Sequence, residues 1–186
     1  MKQTTIKQYI YIVFLSVFIA SGCEKSENSP LEKQFRGTYE IVSAMATTEV
    51  DVDLDGTGHR NMLTEIQNLK NSYLELIVGS FKTYVFSQFW QNQYFLGVEG
   101  TPISYDPSIV VDYVNQATVA NFRFDDKLKT FVLSRSNDEP AFPLPESMKL
   151  IQDNLIKVTM SKRLFTRSGW ETVKIDVVYK KIWSPT

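Results

Sequence analysis

The stretch that decides the fold is Val173-Lys174-Ile175-Asp176-Val177-Val178-Tyr179-Lys180, near the end of the chain. Apolar side chains occupy every second position and alternate with mostly charged ones. Because successive side chains of a strand point to opposite faces, this period of two predicts a strand with one buried and one wetted face. The turn Arg167-Ser168-Gly169 connects it to an earlier segment, 155–161, with the same alternation. The two segments therefore predict a β-hairpin.

Similar patterns continue towards the N-terminus and predict further strands at 37–46, 73–78, 84–90, 94–98, 118–124 and 131–135. Short turns such as 125–129 connect them, which is typical of an antiparallel up-and-down meander. Closing an all-β meander of about eight strands into a barrel removes exposed strand edges. A two-sheet sandwich would give the same sequence pattern and stays open as an alternative.

One or two short helices are expected between the strands. The first is predicted over 61–69, where one helical face would carry Met62, Leu63, Ile66 and Leu69. The second would begin at Asp106-Pro107, because Asp is a favoured N-cap and Pro is favoured at the first helical position. The β-branched residues at 109–111 fit a strand equally well.

The first 22 residues have the features of an export signal. They contain Lys2 and Lys7, no acidic residue, and an apolar run over 9–20 that ends in small residues. The run is shorter than the roughly 20 residues that span a bilayer as a helix. The sequence Ala20-Ser21-Gly22-Cys23 resembles the lipobox of bacterial lipoproteins, which implies cleavage before Cys23 and lipid attachment to its thiol.

The cysteine content fits this interpretation, because Cys23 is the only cysteine and no intrachain disulfide can form. We expect a signal peptide at 1–22, an acylated Cys23 with a polar, flexible tether at 23–33, and a barrel domain at 34–186. More than one acyl chain would hold the protein firmly in a membrane. Glu24, rather than the Asp associated with inner-membrane retention in some bacteria, favours the outer membrane of the cell envelope.

A family resemblance begins at Gly37-Thr38-Tyr39, which is similar to the Gly-x-Trp start of the first lipocalin strand, with Tyr in place of Trp. An Asp-rich turn, 51–56, follows before the predicted helix. Together with the lipobox, these features resemble the lipocalin-like domain lipoproteins of bacteria over residues 35–183. The resemblance implies an eight-stranded barrel, in a family whose members mostly lack an assigned ligand.

The Asp-rich turn is a candidate calcium site. Asp51, Asp53, Asp55 and Gly56 match the first half of an EF-hand-type loop, in which alternate carboxylates converge on one hard cation. The second half departs from the pattern, because Met62 occupies the position of the bidentate Glu. Glu65, one helical turn beyond Asn61, would complete a non-standard site. A polar turn that binds nothing is the alternative.

Aromatic side chains are the other candidate site. Tyr84, Phe86 and Trp90 share one face of a predicted strand, and Phe122 lies in a neighbouring one. Aromatic residues at the mouth of a barrel suit a small hydrophobic or amphipathic ligand. Bulky residues at alternating positions also simply fill a core, and the sequence leaves both readings open.

Charge and residue content narrow the function classes. The net charge is −1 and no stretch is strongly basic, so nucleic acid is not an expected partner. His59 is the only histidine, which leaves no Ser-His-Asp set to argue for. We therefore expect a monomeric, membrane-tethered, non-enzymatic binding protein. The alternative is an interaction module with a filled barrel that docks a protein or glycan, and an envelope hydrolase is least favoured.

Overall fold

The computed structural model describes residues 34–79, 84–97, 100–135 and 143–183. The predicted signal peptide, the lipid-attachment residue Cys23 and the tether lie outside the described residues. Among the described residues, no helix is long and apolar enough to cross a membrane.

The described residues form nine strands, one short α-helix and one 3-10 turn. They are β1 (Gly37–Val50), β2 (His59–Asn61), α1 (Met62–Glu65), the 3-10 turn (Leu69–Asn71), β3 (Tyr73–Val78), β4 (Tyr84–Leu96), β5 (Val110–Asp125), β6 (Thr130–Ser134), β7 (Ser147–Gln152), β8 (Leu155–Thr166) and β9 (Gly169–Trp183).

Eight of these strands close into a barrel. Neighbouring strands follow one another along the chain from β3 to β9, every pair is antiparallel, and β1 pairs with both β3 and β9. β2 pairs only with the far end of β1. The predicted up-and-down barrel is confirmed, and because the sheet closes on itself the sandwich alternative is wrong.

The hairpin that decided the fold is formed by β8 and β9, with register pairs from Leu155↔Lys180 to Thr166↔Gly169. Its predicted alternation is present, since Ile175 and Tyr179 are fully buried while Lys174 is exposed. The apolar face of this hairpin therefore lines the barrel interior.

Three local predictions need correction. The strands predicted at 84–90 and 94–98 are one continuous strand, β4. The second helix is absent: Asp106 Oδ1 accepts from the Ser108 N–H and hydroxyl in a tight turn, and β5 begins at Val110. The β-branched residues there extend the strand. The first helix is only partly present, because Ile66 is extended and ends α1, and Asn68 adopts a left-handed φ of 60° before the 3-10 turn.

Aromatic rings pack together at one end of the barrel. The Phe35 ring lies 4.4 Å from that of Phe124 and 5.0 Å from that of Phe131, centre to centre. Phe124 and Phe131 flank the β5–β6 turn, so this cluster lies at the end of the barrel that carries that turn.

Residues 51–72, which we call the cap, extend across the opposite end. The Tyr113 hydroxyl of β5 donates to the carbonyls of Val52 (3.2 Å) and Glu65 (3.1 Å). The cap leaves β1 and contacts β5, three strands away around the barrel, so it crosses the barrel end. The described core runs from Phe35 to Tyr179 and the sheet closes between β1 and β9, so all eight strands of the barrel lie within residues 37–183.

Candidate functional site

Three of the four predicted cation ligands meet within the cap. The carboxylate oxygens of Asp51, Asp53 and Glu65 lie within 4.8 Å of one another. The Val52 N–H donates to Glu65 Oε2 at 2.8 Å, which holds the end of α1 against the Asp-rich turn. Asp55 is not part of this cluster, and its Oδ1 accepts from the Thr57 N–H at 2.7 Å.

The cluster combines burial with repulsion between like charges. Glu65 is 1% exposed. Burial is the main cause that raises the pKa of the Asp53 and Glu65 carboxyl groups above their ordinary range, and repulsion from neighbouring carboxylates adds to it. Asp51 Oδ1 is buried without a hydrogen-bond partner. The arrangement presents oxygen ligands of the kind that a hard divalent cation prefers.

One cation already contacts the cluster from outside the cap. Arg167, in the β8–β9 turn, places its Nε 3.1 Å from Asp51 Oδ2 and donates from its other nitrogen to the Leu54 carbonyl at 2.7 Å. Sequence reasoning missed this residue, because nothing in the spacing connects the turn with the cap. His59 is exposed on β2, as a solvated residue would be.

The predicted aromatic ligand residues lie on the inner face of the barrel. Phe86, Trp90 and Phe122 are each at most 4% exposed, and Tyr84 is half-buried with its ring 5.6 Å from that of Phe122. Phe86 and Phe122 lie on neighbouring strands towards the Phe35 cluster, while Trp90 lies closer to the capped end. The four residues therefore lie at different heights along the barrel interior.

Three buried polar residues interrupt the mostly apolar interior of the barrel. They are Gln88, Thr118 and Lys162, all at most 9% exposed. Gln88 Nε2 donates to the Tyr179 hydroxyl at 2.8 Å. Sequence reasoning missed Lys162, although it continues the inward series of β8 after Met160 and so carries a charge where an apolar residue is expected.

Lys162 faces Trp90, and neither side chain has a hydrogen-bond partner among the described residues. Lys162 Nζ lies 5.7 Å from the centre of the Trp90 ring, and no described carboxylate pairs with it. Trp90 Nε1 is buried and has no acceptor. Burial lowers the pKa of the Lys162 ammonium to about 8.

The barrel wall is weakest between β6 and β7. These strands share only the pairs Thr130↔Lys149 and Phe131↔Met148. A cavity of about 340 Å³ lies there, with Leu133, Leu144 and Met148 in its lining. Sequence reasoning missed β7, because only Met148 of this short strand is fully buried and its alternation is weak.

The eight-stranded antiparallel up-and-down barrel is compatible with a lipocalin-like fold. Comparison with known proteins gives no match to a family model, to a curated protein or to a solved structure. The barrel topology therefore establishes the fold class, and any inference about function rests on the side chains.

Proposed function

We propose that this protein is a membrane-tethered, non-enzymatic lipoprotein of the cell envelope whose lipocalin-like barrel binds a small hydrophobic or amphipathic ligand. The observation that carries the proposal is the burial of three polar residues, Gln88, Thr118 and Lys162, in a largely apolar barrel interior. Binding sites for small molecules are typically apolar cavities with a few convergent polar groups. A core that served stability alone would gain nothing from a buried lysine.

The tether is proposed from the sequence. The lipobox-like residues before Cys23 and the absence of a second cysteine support acylation at that position. With Glu24 as the next residue, the outer membrane is the favoured location, and the barrel would act there as a monomer.

The experiment for ligand binding uses the domain 33–186 and a neutral fluorescent amphiphile, N-phenyl-1-naphthylamine. We expect its fluorescence to rise on binding, and Thr118→Trp to abolish the rise by filling the interior. The control is Ala117→Trp on the exposed face of the same strand. Circular dichroism checks that both variants fold, since overpacking a core costs about 1–3 kcal/mol.

Equal binding by the Thr118 and Ala117 variants would place the amphiphile outside the barrel and contradict the proposal. Absence of binding by the native domain would favour the alternative, an interaction module whose filled barrel docks a protein or glycan.

We propose calcium binding as a second function, on a separate observation. Three carboxylates converge in the cap, and Asp51 Oδ1 is buried without a partner. Asp51, Asp53 and Glu65 would hold the ion. Because the bidentate Glu of an EF-hand loop is replaced by Met62, the affinity should fall in the range of about 0.1 to 1 mM of extracellular calcium modules.

A further inference from the structure

We propose that the ligand carries a carboxylate, and that Lys162 and Trp90 bind this group inside the barrel. The inference rests on the proposed function and deepens it, since it names the chemical class of the ligand: an apolar molecule with a single negative charge.

The first support is the isolation of the Lys162 ammonium. Lys162 is 9% exposed, and no described residue provides an anion for it. Two described neighbours of Lys162 carry no charge: Trp90 of β4, and Val173 of β9, which is the cross-strand partner of Lys162. An unpaired buried charge is strongly unfavourable, and pairing with an anion offsets part of this cost.

The second support is independent and comes from Trp90. Its Nε1–H is buried without an acceptor, although buried donors in folded proteins are nearly always paired. Lys162 Nζ lies 5.7 Å from the Trp90 ring centre, so both donors belong to the same part of the barrel interior. A carboxylate has two acceptor oxygens and can receive one hydrogen bond from each donor.

The charge of Lys162 and the apolar side chains around it define the class of ligand. One ammonium balances one negative charge, which favours a carboxylate over a doubly charged phosphate. The positions that flank Lys162 on the inner face of β8, Met160 and Leu164, are apolar and buried, so the body of the ligand must be apolar.

The test compares decanoate with decan-1-ol, which differ only in the head group, by calorimetry on the domain 33–186. In Lys162→Met we expect decanoate affinity to fall about tenfold or more, because a charged hydrogen bond contributes about 1.5–3 kcal/mol, while decan-1-ol affinity is unchanged. Lys180→Met, on the exposed face of β9, is the matched control and should leave both affinities unchanged.

A second readout separates recognition of the carboxylate from a structural role. At a pH near 8.5 decanoate binding should take up protons, because a carboxylate raises the lowered pKa of the Lys162 ammonium. The uptake is measured as the dependence of binding enthalpy on the buffer and should vanish in Lys162→Met. Trp90→Phe, which keeps a ring but removes the donor, should also weaken decanoate selectively.

The outcomes distinguish the two proposals. If the native domain binds both amphiphiles with equal affinity, or if Lys162→Met weakens both equally, the carboxylate inference is overturned and the proposed function stands. If the folded domain binds neither, the proposed function fails and the inference fails with it.

Discussion

Lys162 Nζ lies 5.7 Å from the centre of the Trp90 ring, so that an ammonium on β8 faces an indole on β4 across the barrel interior. A cation over an aromatic face gains about 0.5–2 kcal/mol, which offsets only part of the desolvation of a buried ammonium. The buried ammonium therefore lowers the stability of the fold, and a bound anion would offset part of this loss.

The first prediction concerns how the destabilisation by Lys162 depends on pH. The pKa of Lys162 is lowered from 10.5 to about 8 in the fold, so the unfolded chain binds more protons between these values. The destabilisation is therefore fully present below pH 8 and disappears as the pH rises towards 10.5. In urea unfolding, Lys162→Met should be more stable than the native domain by about 1–3 kcal/mol near neutral pH, and the difference should narrow as the pH rises. A difference that is constant with pH would contradict this assignment.

The second prediction tests the two faces of β9. Ile175→Asp places an unpaired charge in the core and should lower the free energy of unfolding by about 3 kcal/mol or more. Thr172→Asp, on the exposed face of the same strand, should change it by less than about 0.5 kcal/mol. The reverse order of effects in urea unfolding would mean that the faces are assigned wrongly.

The third prediction concerns calcium. We expect about 5 mM calcium, above the weak range for such sites, to raise the melting temperature of the domain by a few degrees relative to chelator. Asp53→Asn should lose this rise, since Asp53 belongs to the carboxylate cluster. Asp55→Asn is the matched control and should keep it, because Asp55 lies outside the cluster. If the melting temperature were the same in calcium and in chelator, the loop would be a polar turn that binds no calcium.

The fourth prediction concerns the anchor. Cys23→Ser removes the proposed lipid acceptor, so the chain should accumulate as an uncleaved or unacylated form and lose its label from radioactive palmitate. Membrane fractionation and labelling of the full chain measure both effects. A processed, acylated Cys23→Ser chain would rule out lipid attachment at this residue.

The parts of the fold that sequence predicts well are those whose signal is local. The alternation along β9 and its turn to β8 lie within one continuous stretch, so their pairing and buried face can be read directly. The segment at Asp106 failed for the opposite reason: its capping residues favour a helix, but Val110 and Val111, which follow, pair with Leu96 and Phe95 of β4.

The residues of the candidate sites were likewise predictable only where they lie close together in sequence. Asp51 and Asp53 were predicted as ligands because they lie close together in sequence, and Glu65 because it follows one turn of helix. Arg167 contacts this cluster only because the β8–β9 turn reaches the cap. The proximity of Lys162 and Trp90 likewise depends on barrel closure, which no local pattern specifies.

The measurement that tests the central claim most directly is the indole N–H spectrum of the domain 33–186 during titration with decanoate. The chain has three tryptophans, and two serve as internal controls: Trp170 Nε1 already donates to the Pro102 carbonyl at 2.7 Å, and Trp183 is 56% exposed on β9. Binding inside the barrel predicts a saturable downfield shift of the Trp90 N–H resonance alone. A shift confined to Trp183, with the Trp90 resonance unmoved, would contradict the claim by placing the ligand on the outer surface.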